Sequence, residues 1–353
     1  MSEIVFDLTE VFSASTGKLR FYGIMRVVHE LGLQLVQRKA PVRYGIFSYA
    51  HDGFLEVFPE LREDGTVDLN VPLGIQEIRI RPAYRRKTFL TKLATRAVNP
   101  LLQRRNKKMW AKSGLTLPRL DMSGKTLVSA ARPKLMTDAI DSLERHGVRP
   151  RLVPLLYDMI PLHSQYGHKT PYFPGKFLDD NLIVISNSTE IMTISEFTKS
   201  ELLSFSEQGV LPPVPPVVTS IPLVHECAEG DREATLTLPP APYILTVGAT
   251  MGRKNLEASF GALQILQAQG ATVPTLVIAG ALRKTTQKHL ASDDMAAIRD
   301  KIVLIDSPAQ EDLVALYRNA LAVVMATRME GWGLPAGEAL WFGTPAICST
   351  APV

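Results

Sequence analysis

The 353-residue sequence is poor in the features that mark several protein classes. Its two cysteines, Cys227 and Cys348, form no Cys-x-x-Cys pair, which argues against a zinc or redox site and favours a reducing cytosol. No apolar run approaches the roughly 18 residues that a transmembrane helix needs, and the N-terminus lacks a basic and then apolar signal pattern. The seven histidines show no metal-ligand spacing. What remains is a globular composition, with 46% hydrophobic and 21% charged residues.

The second half of the sequence alternates short apolar runs with helical patterns. We predict strands at 243–247, 275–280, 302–305, 322–326 and 345–348, and helices at 255–269, 285–299, 311–320 and 334–342. Strands that are apolar throughout are buried on both faces, and strict alternation with helices predicts a parallel, doubly wound sheet. The sequence ends directly after the last predicted strand, so we expect this domain to be truncated.

The first half is less regular but has the same character. We predict strands at 4–8, 44–49, 126–129, 152–157, 183–185 and 192–194, with a helix at 23–37. Proline clusters at 212–216 and 239–240 cannot lie inside a sheet or a helix, so they indicate a linker. The predicted domains are therefore 1–210 and 241–353, separated by a proline-rich linker over 211–240.

Two carboxylates lie in the most informative segment, which follows the predicted strand 322–326. Glu330 lies in the loop after the strand and Glu338 in the next helix, at the carboxyl edge of the sheet where such folds bind ligands. Carboxylate oxygens suit sugar hydroxyls, because each can accept a hydrogen bond. The loop between them allows a tight turn, and its free amides at the helix start would attract a phosphate. Its residues are Gly331, Trp332, Gly333 and Leu334.

A second strand-loop-helix junction, 247–255, carries two cations. Arg253 and Lys254 lie side by side at the start of the predicted helix 255–269. Two fixed cations at a helix start fit a diphosphate. We expect this loop and the glutamate loop to face each other across the carboxyl edge of one sheet.

Together these segments resemble the donor-binding domain of retaining family-4 glycosyltransferases. The family's Glu-x7-Glu motif matches Glu330 and Glu338, its Arg-Lys pair matches Arg253 and Lys254, and Gly-Thr-Pro at 343–345 also fits. The resemblance implies the GT-B fold, in which two Rossmann-like, doubly wound domains face a central cleft. It implies that Glu330 contacts the donor sugar, that Glu338 contacts the ribose, and that the two cations bind the diphosphate.

By the same resemblance the enzyme retains the anomeric configuration and needs no metal. A nucleotide diphosphate sugar is the co-substrate, and no cofactor is expected. The sequence has no Asp-x-Asp motif, which argues against the metal-bound diphosphate of the other large transferase fold.

The first half carries looser matches to the same family. Gly23 lies in a Gly-Ile-x-Arg helix start, which places it among the donor-binding candidates. Tyr157 and Asp158 resemble a His-Asp-x-x-Pro segment with tyrosine in place of the histidine, so both are catalytic candidates. Judged on the residues alone, Asp158 is equally a turn residue before Pro161, Tyr157 a core aromatic, and Gly23 a helix start.

A basic insertion over about 78–120 contains thirteen Lys or Arg residues and no Asp or Glu. Interleaved apolar and aromatic residues, Trp110 among them, predict one or two basic amphipathic helices broken by Pro100. Such segments bind anionic membrane surfaces, and aromatic residues anchor them at the interface. Nucleic acid is the rival partner, and a solvated loop is the plain alternative. We favour the membrane and expect no nucleic acid.

The sequence therefore predicts an enzyme that moves a hexose, with mannose one candidate, from a nucleotide diphosphate sugar to an acceptor hydroxyl. We expect a role in surface polysaccharide or glycolipid synthesis, a lipid-linked acceptor, and a cytoplasmic protein peripheral to the inner face of the cytoplasmic membrane. The alternatives are a GT-B-fold sugar-nucleotide epimerase or phosphorylase, and an inactive scaffold that binds membrane or nucleic acid.

Overall fold

The computed structural model describes residues 2–13, 23–79, 89–163, 173–226 and 233–351. The chain divides into two compact units, Met1–Ile221 and Pro222–Val353. Among the described residues, every helix is too short or too polar to cross a lipid bilayer.

The N-terminal unit is built on one seven-stranded sheet in the order β3-β2-β1-β6-β7-β8-β9. The strands of the unit are β1 Ile4–Asp7, β2 Val42–Ser48, β3 Gly53–Val57, β4 Glu60–Leu61, β5 Val67–Asp68, β6 Thr126–Ser129, β7 Arg151–Leu156, β8 Ile191–Thr193 and β9 Val218–Ser220. Its helices are α1 Thr9–Ser13, α2 Ile24–Gln37, α3 Phe89–Ser113, α4 Pro133–Arg145, α5 Phe173–Ser186 and α6 Glu196–Glu207. Every pair in the large sheet is parallel except β2 with β3.

The core of this unit lies between the apolar strands and the helices packed on them. Val5, Leu127 and Leu152 are almost fully buried on three adjacent strands. Helix α4 buries one stripe of side chains, Leu135, Met136, Ala139, Ile140 and Leu143, at helical spacing. Each such side chain stabilises the fold by roughly 1.5–3 kcal/mol relative to exposure.

Three predictions for the first half were wrong. Residues 183–185 lie in α5 rather than in a strand, because a short apolar run does not distinguish a strand from a buried helix. The basic segment forms one helix, α3, that continues through Pro100, whose ring lies on the exposed side. The predicted linker begins inside the N-terminal unit, where Leu211 is buried in the core and 218–220 forms the edge strand β9.

The C-terminal unit has a five-stranded, wholly parallel sheet in the order β12-β11-β10-β13-β14. Its strands are β10 Tyr243–Val247, β11 Thr275–Gly280, β12 Ile302–Asp306, β13 Ala322–Met325 and β14 Ala346–Cys348. Its helices are α7 Leu256–Ala268, α8 Lys284–Leu290, α9 Gln310–Asn319 and α10 Leu334–Trp341. The predicted parallel, doubly wound sheet is confirmed.

Alternate residues of each central strand pack into two separate cores. Tyr243, Leu245 and Val277 face α9 and α10, whereas Leu276 and Ile278 face α7 and α8. Burial on both faces explains why these strands are apolar throughout. The segment 233–240, predicted as linker, belongs to this unit, since two of its leucines pack on the first core.

The predicted helix 285–299 was too long. Helix α8 ends at Leu290, and two short 3-10 turns follow, Asp293–Met295 and Arg299–Lys301. The Ser292 hydroxyl donates to the His289 carbonyl oxygen at 2.7 Å. Such local side-chain bonds compete with helix continuation.

Candidate functional site

The two predicted ligand loops of the C-terminal unit meet at the carboxyl ends of β10 and β13. These strands are parallel neighbours, although β10 is followed in the chain by β11 on its other side. The strand order therefore reverses between them, and such a switch point opens the crevice in which doubly wound folds bind ligands. The loops are joined directly, because the Arg328 amide donates to the Arg253 carbonyl at 2.9 Å. Asn255 Nδ2 also donates to the Ala326 carbonyl at 2.9 Å.

Both cations of the first loop contact one glutamate of the second. Arg253 Nη1 donates to Glu330 Oε2 at 2.6 Å, and Lys254 Nζ donates to Glu330 Oε1 at 2.8 Å. Arg253 Nη1 also reaches the Met329 carbonyl at 3.0 Å. Glu330 is 7% exposed, so its single negative charge offsets one of the two positive charges where little water is present. A diphosphate bound here would compete with Glu330 for the two cations.

Glycine is required where the first loop approaches its own lysine. Gly248 has φ 111°, and a Cβ there would lie 3.2 Å from Lys254 Cε. The lysine stem therefore lies directly over the loop backbone, which fixes the ammonium beside Glu330. A larger residue at 248 would displace it.

The second loop leads into α10 through Gly333, the N-cap residue, which has φ 80°. No side chain caps the helix start. Pro335 has no amide hydrogen, and the Ala336 amide donates to the Gly333 carbonyl at 3.1 Å, so the predicted row of free amides is missing. What the helix start offers an anion is mainly the positive end of the helix dipole. This geometry combines a helix start with two cations.

Glu338 lies on the core side of α10 and does not join the Glu330 cluster. It is 4% exposed, and the Tyr317 phenol of α9 donates to its Oε2 at 2.6 Å. Tyr317 is missing from the predicted site because its α9 position shows only the spacing of a core aromatic.

The opposite side of α10 carries a second contact that the sequence did not predict. The His225 ring stacks on the Trp332 ring, with centroids 5.4 Å apart and planes 10° apart. A Cβ on Gly337 would lie 1.8 Å from His225 Nδ1, so only glycine fits there. The segment before 227 is thereby packed onto the loop that carries Glu330.

The N-terminal candidates lie at the carboxyl edge of the other sheet. The Tyr157 phenol donates to the Ala130 carbonyl at 2.7 Å, and burial raises the pKa of this phenol. The phenol therefore stays protonated and holds the end of β7 to the end of β6, and its catalytic role stays a prediction. Asp158 Oδ1 accepts the Ile160 amide at 3.1 Å, the turn role that the residue alone predicted. Gly23 is the N-cap of α2 with φ 57°.

Two buried carboxylates at this edge were not predicted. Asp7 accepts hydrogen bonds from the Thr9 amide and from the Ser129 hydroxyl, and burial raises the pKa of its carboxyl. Glu10 accepts the Arg132 amide at 2.9 Å and the Arg132 guanidinium at 2.8 Å. They lie beside the β1–β6 reversal, the switch point of the N-terminal sheet.

Comparison with known protein families finds a match in the C-terminal half of the chain. Residues 229–353 match the family described as Glycosyl transferases group 1. This match covers most of the C-terminal unit and none of the N-terminal one. The match contains both glutamates and both cations of the site. No curated protein matches the chain.

Solved structures are similar in fold to nearly the whole chain, beyond the residues 229–353 that the family matches. The fold is similar to that of sucrose-phosphate synthase from Thermosynechococcus elongatus, with TM-score 0.57 and 15% identity over 99% of this chain and 82% of that one. This similarity in fold confirms the predicted GT-B fold class.

Two further structures align less well. The Anabaena protein HepE, solved with UDP and glucose, aligns with TM-score 0.47 and 12% identity over 99% of this chain and 81% of that one. A chain of the GtfA/B complex aligns with TM-score 0.42 and 16% identity over 72% of this chain, which spans only 46% of that one.

Proposed function

We propose that this chain is a nucleotide-sugar-dependent glycosyltransferase whose C-terminal unit binds the donor. The observation that carries the proposal is the contact of Arg253 and Lys254 with Glu330 at the switch point of the C-terminal sheet. Two fixed cations beside the positive end of a helix dipole form a site for a diphosphate.

The proposed division of work follows from position. The diphosphate lies on Arg253 and Lys254 near the start of α10, and the two cations stabilise the charge that develops on the leaving group. Glu330, in the loop, orients the donor sugar, and Glu338, inside the helix, holds the ribose. By family resemblance the transfer retains the anomeric configuration without a metal, and the sugar is a hexose, with mannose one candidate.

Calorimetry with UDP, GDP and ADP tests donor binding. We expect one nucleoside diphosphate to bind and Lys254→Glu to weaken it by at least 10-fold. Lys288→Glu, on the exposed face of α8, makes the same charge change away from the site and should leave affinity within 2-fold. Equal affinity of wild type and folded Lys254→Glu contradicts the proposed site.

Product analysis separates transfer from its alternatives. Incubation with nucleotide sugars should release a nucleoside diphosphate, faster when an acceptor is added. Epimerised nucleotide sugar without an acceptor indicates an epimerase, and release that requires inorganic phosphate indicates a phosphorylase. A protein that binds nucleotides but converts none of them is the inactive scaffold.

We also propose that the N-terminal unit binds anionic membranes, where a lipid-linked acceptor would lie. The support is one face of α3, which exposes Arg104, Arg105, Lys107, Lys108 and Lys112. Trp110 cannot serve as the predicted anchor, because it is buried and its indole donates to Glu77 at 2.7 Å. Binding is therefore expected to be electrostatic, at roughly 1 kcal/mol per cation. Arg85, Arg86 and Lys87 of the same basic insertion lie outside the described residues.

Vesicle sedimentation tests the membrane proposal. Vesicles with 30% anionic lipid should bind the protein, and raised salt should release it, because charges are screened over about 8 Å at physiological ionic strength. Replacing the five exposed cations of α3 with glutamine should abolish binding. Equal binding to neutral vesicles, or preference for a nucleic acid duplex, contradicts the proposal.

A further inference from the structure

The buried pair of Tyr317 and Glu338 stands apart from the cation cluster of the site. Tyr317 is fully buried, and its phenol donates to Glu338 Oε2 at 2.6 Å. Such a pair is a poor way to stabilise a core. Taking a carboxyl group out of water costs free energy that an apolar side chain would not cost. The carboxylate is therefore better explained by a ligand than by packing.

Tyr317 is itself held in place from two further directions. The Thr344 hydroxyl donates to the Tyr317 carbonyl at 2.6 Å. The Phe342 ring stacks on the Tyr317 ring, with centroids 5.7 Å apart. Thr344 and Phe342 lie in the turn after α10, so the tyrosine joins α9 to the far end of the glutamate helix. The phenol oxygen therefore has little freedom to move.

We propose that Tyr317 is a positioning residue that fixes the Glu338 carboxylate for the nucleoside part of the donor. The inference rests on the proposed function, in which Glu338 holds the ribose. A hydrogen bond to one carboxylate oxygen selects the glutamate rotamer and the plane of the carboxylate. A ribose diol needs this plane to be fixed, because its two hydroxyls approach from set directions.

Tyr317→Phe tests the proposal, since it removes only the phenol oxygen. We expect the donor KM to rise about 10-fold, which corresponds to about 1.4 kcal/mol, with kcat within 2-fold. The enzyme binds the ribose equally well in the ground state and in the transition state. Weaker ribose binding therefore raises KM and leaves kcat unchanged. In calorimetry the affinity for the nucleoside diphosphate should fall about 10-fold. The affinity for pyrophosphate, held by Arg253 and Lys254, should not change.

Tyr243→Phe is the matched control. Tyr243 is also fully buried in the same core, and its phenol donates to the Leu316 carbonyl at 2.9 Å. The Tyr243→Phe variant should lose about as much stability as Tyr317→Phe, and its donor KM should equal that of wild type. Thr344→Val is the second variant should Tyr317→Phe not fold. It loosens Tyr317 without altering the phenol, and we expect a selective 2- to 4-fold loss for the nucleoside diphosphate.

A double-mutant cycle with Glu338→Gln completes the test. If Tyr317 acts through Glu338, the double variant should bind the nucleoside diphosphate no more weakly than Glu338→Gln alone. Additive losses, or equal losses for pyrophosphate and nucleoside diphosphate, overturn the inference. An active wild type with an unchanged donor KM in Tyr317→Phe overturns the inference alone. A wild type that binds no nucleotide overturns the proposed function and the inference with it.

Discussion

Replacing Glu330 with glutamine should have opposite effects on nucleotide binding and on transfer. The Glu330 carboxylate contacts Arg253 at 2.6 Å and Lys254 at 2.8 Å. A diphosphate that uses the same cations must compete with it. The amide of Glu330→Gln keeps the shape but loses the charge, so it leaves the cations to the ligand. We therefore expect a nucleoside diphosphate to bind the variant more tightly.

The contacts set the size of this effect. Hydrogen bonds to charged groups contribute roughly 1.5–3 kcal/mol each. The Arg253 side chain is 32% exposed, so water screens part of its share, whereas the side chains of Lys254 and Glu330 are largely buried. A net gain of about 1–2 kcal/mol, or roughly 5- to 30-fold in Kd, is the expected result. Without ligand the variant should be less stable by about 1–3 kcal/mol, since Lys254 loses its charged partner.

Calorimetry and thermal unfolding measure both sides of this prediction. The variant should unfold at a lower temperature than wild type without ligand and show a larger shift when the nucleoside diphosphate is added. Turnover with the nucleotide sugar should fall, because the sugar loses its orienting carboxylate. Glu257→Gln is the matched control. It lies next to the same loop and accepts the Gly252 amide at 3.1 Å. Weaker nucleotide binding in Glu330→Gln, with Glu257→Gln unchanged, would refute the competition argument.

Three further predictions test other parts of the structure. Glu338→Gln should mainly raise the donor KM and leave turnover near wild type, opposite to Glu330→Gln, and steady-state kinetics on both variants would expose a reversed pattern. Burial raises the folded-state pKa of Asp7, so its contribution to stability is full at low pH and is lost as pH rises through that pKa. Asp7→Asn should therefore gain stability relative to wild type as pH rises above about 4 in urea unfolding, and parallel pH curves would contradict this. Gly337→Ala should destabilise the C-terminal unit by about 1–3 kcal/mol, because its Cβ would meet His225. His225→Ala added to this variant should restore most of the loss in denaturant unfolding.

The C-terminal unit could be predicted from sequence because its signals are local and consistent. Residues 243–247 and 275–280 match β10 and β11 at both ends, and each run is followed by a glycine or ends in one. Where signals conflict, prediction failed. The run 183–185 is apolar and β-branched but lies in α5, since its burial against α4 was not visible locally. Pro100 suggested a break in α3, yet on an exposed face the missing amide is tolerated.

The same distinction between local and long-range signals applies to the site. Each loop could be predicted from its own sequence, because glycines, cations and carboxylates follow apolar strands. The contact between loops depends on β10 pairing with β13, a choice made by the whole sheet and not by either segment. Tyr317 contacts Glu338, and His225 contacts the α10 position Gly337, from parts of the chain far from the motif in sequence. No local pattern relates them to the motif.

The unexpected ion pair changes the meaning of the cationic loop. From the sequence alone, Arg253 and Lys254 are predicted to form a positively charged site for an anion. In the folded unit, Glu330 already pairs with both, so the affinity for a diphosphate is the difference between two sets of contacts with the same cations. A ligand that displaces the carboxylate also frees it to turn toward the sugar attached to that diphosphate. Phosphate binding and sugar orientation then depend on one side chain. This coupling is why Glu330→Gln should separate binding from transfer, whereas Glu338→Gln should not.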